Sequence, residues 1–143
     1  MTFREFSVGT DAYHQSRELR ERVLRKPLGL VLSAVDVDAD DRSFHLGCFV
    51  DTRLVGSLLL IPLSNNNARL RQVAVRPEDQ RRGVGSQLLA FAERFARERG
   101  YLRLQAHARI SALKFYQAAG YVASGELFLE VNLEHQLVTK DLQ

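Results

Sequence analysis

The chain has 143 residues, close to the usual size of one domain, and 45% of them are hydrophobic, enough for a core of its own. Its 20 Lys and Arg against 17 Asp and Glu leave a formal charge of +3 and an isoelectric point near 9.3. Basic and acidic residues are interleaved along Arg17–Arg25 and Glu93–Arg99, which reads as solvated helix faces and not as the aromatic-bearing basic stripe of a nucleic-acid binder.

Cys48 is the only cysteine, which excludes an internal disulfide and a cysteine-rich metal site. The first residues already carry Arg4, Glu5 and Asp11, so no signal peptide is expected. The longest apolar run, Leu54–Leu63, contains Gly56, Ser57 and Pro62 and is too short to span a bilayer. The expectation is a soluble cytoplasmic protein with neither a nucleic-acid nor a membrane partner.

Thr2–Val8 is predicted as a strand. Thr10 or Asp11 then caps a helix that reaches Leu24 and stops before Pro27. Residues 27–42 lack a period and hold the acidic stretch Asp36–Asp41. Its spacing imitates a calcium loop, but Asp41 stands where that loop needs Gly and Gly47 where it needs Glu, so a solvated loop is expected. Ser43–Val50 and Arg53–Leu63 form a hairpin joined at Asp51-Thr52, and Asn65–Asn67 make the next turn. Ala68–Val75 is a strand expected to carry Leu70, Gln72 and Ala74 on one face and Val73 and Val75 on the other. A long helix from Val84 to Gly100 presents Leu88, Ala92 and Phe95 beside Leu89 and Ala96. Tyr101–Ala106 is a strand, Ile110–Ala119 a shorter helix ended by Gly120, and Tyr121–Leu129 and Val131–Val138 are closing strands. The predicted fold is a single mixed α/β domain of order β-α-β-β-β-α-β-α-β-β, its central sheet flanked by helices.

The most informative segment joins a strand to a helix through Gln80-Arg81-Arg82-Gly83-Val84-Gly85-Ser86. The first turn of a helix has unpaired amides and a positive dipole end, and glycines let a phosphate approach that backbone. A Walker-type loop needs Lys-Ser or Lys-Thr after its last Gly, and a dinucleotide fingerprint needs Gly or Ala where Leu88 stands, so both are excluded.

Gln80–Gly85 resembles the Q/R-x-x-G-x-G/A signature of the GNAT superfamily of N-acetyltransferases, and the predicted element order resembles its fold along nearly the whole chain. The resemblance implies acetyl-CoA as cosubstrate. The amides of Arg81, Arg82, Gly83, Val84, Gly85 and Ser86 would hold its pyrophosphate, and the strand edge at Val73, Ala74 and Val75 would pair with the pantetheine arm. Ala112–Tyr121 is similar to the A-x-x-F-Y-x-x-x-G-F segment of the family, with Tyr121 in place of Phe. It places Tyr116 at the thioester, where a phenol with an ordinary pKa near 10 can protonate the leaving thiolate. Arg109 stands where many members carry Asn or Gln, and is expected on the pantetheine or a phosphate. The closing Glu126–His135 and the early Leu24–Leu30 resemble the ElaA-like branch.

An amine acceptor arrives protonated and needs a base. The family's carboxylate on the central strand corresponds to Gln72, which cannot take a proton, so Glu130 and His135 are the candidate bases and His107 a third. No His or Cys pair has metal-ligand spacing, and no metal is expected. The expected reaction is direct transfer of acetyl from acetyl-CoA to a primary amine of a small molecule or peptide, with a strand amide near Val73–Ala74 stabilising the oxyanion. The acidic loop could attract a cationic amine, though plain solvated surface is the expectation. Gln72 keeps a second reading open, a non-catalytic acyl-CoA sensor. A homodimer is common among chains that resemble this one.

Overall fold

Thr10 starts the first helix: its Oγ1 accepts the amide of Tyr13 at 3.3 Å, and α1 runs Asp11–Leu24. Asp11, the other predicted cap, is the first-turn acid beside the positive helix end. The computed structural model describes residues 1–143. The strands are β1 (Thr2–Phe6), β2 (Phe44–Val50), β3 (Arg53–Pro62), β4 (Asn67–Val75), β5 (Arg103–Arg109), β6 (Val122–Glu130) and β7 (Leu133–Asp141). The other helices are α2 (Val84–Glu98) and α3 (Leu113–Ala118), the latter entered through a 3₁₀ turn at Ile110–Ala112. No helix is long and apolar enough to cross a membrane.

The seven strands form one mixed sheet in the order β1-β2-β3-β4-β5-β7-β6, parallel only between β4 and β5. Helices α2 and α3 cover one face, over a core of 20 buried residues that includes Leu58, Leu70, Leu88, Leu104 and Val138. Helix α1 covers the other face with a smaller cluster of 7, among them Tyr13, Leu19, Phe49 and Ala74. At roughly 1.5–3 kcal/mol per fully buried large apolar side chain, the α2 face carries most of the stabilising burial.

Two features create an opening in this sheet. The parallel register of β4 and β5 ends at Leu70 opposite Ala106, although β4 continues to Val75 and β5 to Arg109. Beyond that point the strands splay, and the β4 edge lacks a ladder partner. In addition, Ser57 lies opposite Ala74 but Leu59 opposite Arg71, so Gln72 and Val73 together face Leu58 in a β-bulge. Gln72 takes φ of 53° there. The extra residue reverses the alternation: Leu70, Val73 and Val75 meet the α2 core while Ala74 joins the α1 cluster. The predicted grouping of Leu70 with Gln72 and Ala74 is therefore corrected.

Other corrections are local. Val131 and Asn132, predicted in the last strand, have φ of 44° and 61° and make the β6–β7 turn. Asp36 and Asp40, predicted as solvated, are buried. Asp40 receives both Nη atoms of Arg20 at 2.9 and 3.0 Å and the Tyr13 hydroxyl at 2.6 Å. Asp36 receives Nε and Nη2 of Arg25 at 3.0 and 2.7 Å. Fully buried Arg20 requires such a partner, because an unpaired buried charge is strongly destabilising. The acidic stretch thus fastens its loop to α1, while Asp38 and Asp41 remain exposed.

Candidate active site

The segment after β4 is shaped by its own side chains. Arg76 pairs with Asp79 at 2.5 Å across a 3₁₀ turn at Pro77–Asp79, and Gln80 Nε2 donates to the Val75 carbonyl at 2.9 Å. Arg81 and Gly83 then take left-handed φ of 64° and 78°, and Gly83 is the N-cap of α2 with no side-chain cap bond. The first helical acceptor bond is that of Gln87 to Gly83, so the amides of residues 81–86 have no backbone acceptor. Consecutive free amides at a helix N-terminus suit an oxyanion. Val84 is itself a core residue, which leaves its amide as the available group, and Arg82 and Ser86 are exposed beside it.

The splay of β4 and β5 opens a cavity of about 910 Å³. Gln80, Gly85, Val73, Val75 and Tyr116 line it together with Arg109, Glu130 and His135. Gly85 lies against Phe115, whose ring would come within 3.3 Å of any added Cβ. That contact seats α3 beside the start of α2. Tyr116 is the buried residue of α3, and burial pushes its phenol up to about 12, so it stays protonated at neutral pH.

The three candidate bases meet although they come from different strands. Glu130 Oε1 lies 2.5 Å from His107 Nδ1, and Glu130 Oε2 lies 3.9 Å from His135 Nε2. Phe128, which sequence reasoning missed, sits between the rings at centroid distances of 5.0 Å from His107 and 5.9 Å from His135. His135 is 4% exposed, and its Nδ1 donates to the Leu133 carbonyl at 2.8 Å. In the neutral ring that bond leaves the Nε2 lone pair on the side of Glu130.

Strand alternation divides the cavity. Leu104, Ala106 and Ala108 point into the α2 core, so Gln105, His107 and Arg109 face the α1 side. Val73, Val75 and Tyr116 belong to the α2 side. Arg109 does not reach towards Gly83: its Nη2 donates to the carbonyl of Leu24 at 2.9 Å, at the end of α1. Burial and the nearby Arg25 push its guanidinium below the ordinary range. Gln72 is equally committed, accepting from Arg20 Nε at 2.5 Å and donating to the Asp36 carbonyl at 2.7 Å. Cys48 is fully buried, and desolvation raises its thiol pKa, which leaves it unsuited to nucleophilic work.

Two curated relatives align with part of the chain. The protein YyaT of Bacillus subtilis is 27% identical over 77 residues, 54% of this chain and 52% of the relative. The streptothricin acetyltransferase of Escherichia coli is 28% identical over 93 residues, 63% of this chain and 53% of the relative. The chain therefore spans about half the length of these two. Solved structures agree along the whole fold. An aminoglycoside 6'-N-acetyltransferase complexed with coenzyme A superposes with a TM-score of 0.83 at 16% identity, covering 100% of this chain and 98% of that one. Escherichia coli ElaA gives 0.84 at 14% identity, covering 97% and 98%. At such identities the likeness is one of fold. The model of the acetyltransferase (GNAT) family matches residues 10–121, and the chain belongs to that family.

Proposed function

We propose that residues 1–143 form one acyl-CoA-binding acetyltransferase domain, which moves an acetyl group from acetyl-CoA to a primary amine of a small molecule or peptide. The observation that carries this reading is the opening between β4 and β5. Of the loop that opens α2, Gln80 and Gly85 line it and the other free amides of residues 81–86 adjoin them in the chain. Tyr116 lies on its α2 side, and Glu130 and His135 stand on its α1 side.

The loop fits a pyrophosphate, because six consecutive amides there have no backbone acceptor and Arg81 and Arg82 add positive charge. Acetyl-CoA supplies the activated thioester. The edge of β4 that faces the cavity, at Val73 and Val75, lines the pantetheine; Gln80 already occupies the Val75 carbonyl. An amide near Val73–Ala74 faces the carbonyl oxygen as it gains charge. His135 Nε2, with Glu130 beside it, takes the proton from the ammonium. The C–N bond then forms as the C–S bond breaks, and the Tyr116 hydroxyl protonates the departing sulfur and is reprotonated by solvent. Direct transfer needs no covalent enzyme intermediate. The sensor reading rested on the lack of a base at Gln72; the cluster of Glu130, His107 and His135 favours the transferase.

The test is thermal unfolding with and without acetyl-CoA, with ATP and NAD as controls. Ligand at about a hundred times its Kd adds roughly 2.7 kcal/mol, a rise of several degrees in Tm for this size. A rise with acetyl-CoA alone, followed by thiol release on adding amine, supports the proposal. No rise removes the loop's role as a cofactor site.

A further inference from the structure

The α1 side of the cavity, where the acceptor must enter, carries more positive charge than its own carboxylates balance. Arg25, Arg69, Arg71 and Arg109 line it, with Asp36 and Glu130 as the lining acids. Asp36 is spent on Arg25, and Glu130 is engaged by His107. No carboxylate pairs with Arg69, Arg71 or Arg109. Arg69 gives its Nε to the amide oxygen of Gln105 at 3.1 Å, and Arg109 has only the Leu24 carbonyl. A half-buried guanidinium without a counter-ion is costly, and an anionic ligand group offsets that cost.

Polycations such as polyamines and aminoglycosides fit this wall poorly. Of the acidic stretch that could have drawn them, Asp36 and Asp40 are buried in pairs with Arg25 and Arg20, and exposed Asp38 and Asp41 do not line the cavity. We propose that the acceptor is a small amine bearing an anionic group, a carboxylate or a phosphate, which Arg109 binds with help from Arg71 while the amine faces His135 and Glu130. Both anions suit the planar guanidinium fork. Register sets the spacing: Arg109 lies directly opposite His135 in the β5–β7 pair. Side chains of such partners leave the sheet on one face with Cβ atoms roughly 4.5–5.5 Å apart. Both side chains therefore stand on the same wall of the cavity, and one small acceptor is enough to span them. Sidedness separates this anion from the cofactor phosphates, because the free amides of residues 81–86 open α2 and Arg109 faces the α1 side.

The inference rests on the acetyl-transfer reading, and the experiment separates the two. Calorimetry measures binding of acetyl-CoA and, independently, of matched acceptor pairs to the intact protein with and without CoA: free amino acids against their amides, phosphoethanolamine against ethanolamine, with spermidine and an aminoglycoside as polycations. At least one anionic member is expected to bind about tenfold or more tightly than its neutral partner, the worth of a charge-assisted hydrogen bond. Which pair responds tells carboxylate from phosphate. Where turnover is measurable, Arg109→Gln should raise KM for the anionic acceptor about tenfold with kcat nearly unchanged, and Arg109→Lys should recover part of the loss. Equal binding within both pairs, tighter binding of the polycations, or no binding of any anionic member overturns the inference even if acetyl-CoA binds. Failure of acetyl-CoA to bind overturns the transferase reading instead.

Discussion

Glu130 and His107, 23 residues apart in the chain, meet at 2.5 Å between Oε1 and Nδ1. The bond holds the carboxylate at the cavity wall while its second oxygen turns towards Nε2 of His135, 3.9 Å away. The arrangement sets a carboxylate beside the ring proposed to take the acceptor's proton, and His107 fixes that carboxylate in place.

Replacing His135 by Gln should therefore lower kcat by about 10²–10⁴-fold, the usual worth of general base catalysis, with acetyl-CoA affinity preserved. Glu130→Gln, which keeps an acceptor for His107 but removes the charge, should cost less. Steady-state rates with calorimetric cofactor binding check both. Undiminished turnover in His135→Gln would place the base elsewhere.

Tyr116→Phe should lower kcat by about 10²-fold and leave cofactor binding intact, because the ring that packs against Phe115 and Tyr121 is retained. The same variant has a stability signature. Burial raises the Tyr116 pKa from 10.0 to about 12, so the folded state holds a proton that the unfolded chain releases. The contribution is complete below pH 10 and is lost as pH rises through 12. Urea midpoints between those values should fall less steeply for Tyr116→Phe than for the wild type. Parallel slopes would mean that the hydroxyl is not held in an apolar site.

Acid stability depends on the other buried pairs. The Arg25 guanidinium beside Asp36 lowers its carboxyl pKa from 3.8 to about 2, so the unfolded chain binds the extra proton. This stability is present above pH 4 and is lost as pH falls towards 2, amounting to about 2 kcal/mol at 1.36 kcal/mol per pKa unit. Arg25→Met should remove it and leave the buried Asp36 carboxylate without its cation, holding only the Ser33 amide, at a neutral-pH cost of roughly 3–5 kcal/mol. Asp36→Asn in that background should recover part of the loss, because the stranded charge is gone. Urea unfolding at pH 7 and pH 3 gives both comparisons, and an unchanged single variant would show the pair to be neutral.

The element order was legible because it depends on local signals: Thr10 before a periodic run, Asn65-Asn66 at a turn, Gly83 and Gly120 at helix ends. The phosphate-type loop was legible for the same reason, since its amides are freed by the chain around them. The bulge at Gln72 was not. A left-handed glutamine inside a run of alternating residues has no local mark, and it is held from outside by Arg20 and the Asp36 carbonyl. Burial of Asp36 and Asp40 was hidden because it requires Arg20 within a preceding helix and Arg25 at its C-cap. His107 and Arg109 stand two residues apart in one strand, which could have placed them on one face. That this face opens into the cavity followed only from the splay of β4 and β5.

Gly83 separates the fold's need for a left-handed N-cap from the loop's need for open amides. At φ of 78°, a Cβ there would meet only Gln87 Nε2 at 3.6 Å, an ordinary contact. The cost of Gly83→Ala is therefore backbone strain, about 1–2 kcal/mol for a residue held in the left-handed region. Gly100, at φ of 85° with open space around it and at the far end of α2, is the matched control. Both alanine variants should lose similar stability in urea. Gly83→Ala should in addition weaken acetyl-CoA binding, because any relaxation towards negative φ rotates the free amides of residues 83–85, and Gly100→Ala should bind as the wild type does. Equal affinity in the two variants would mean that the phosphates are held by Arg81 and Arg82 instead of by the backbone, and Arg82→Ala should then show the loss that Gly83→Ala did not.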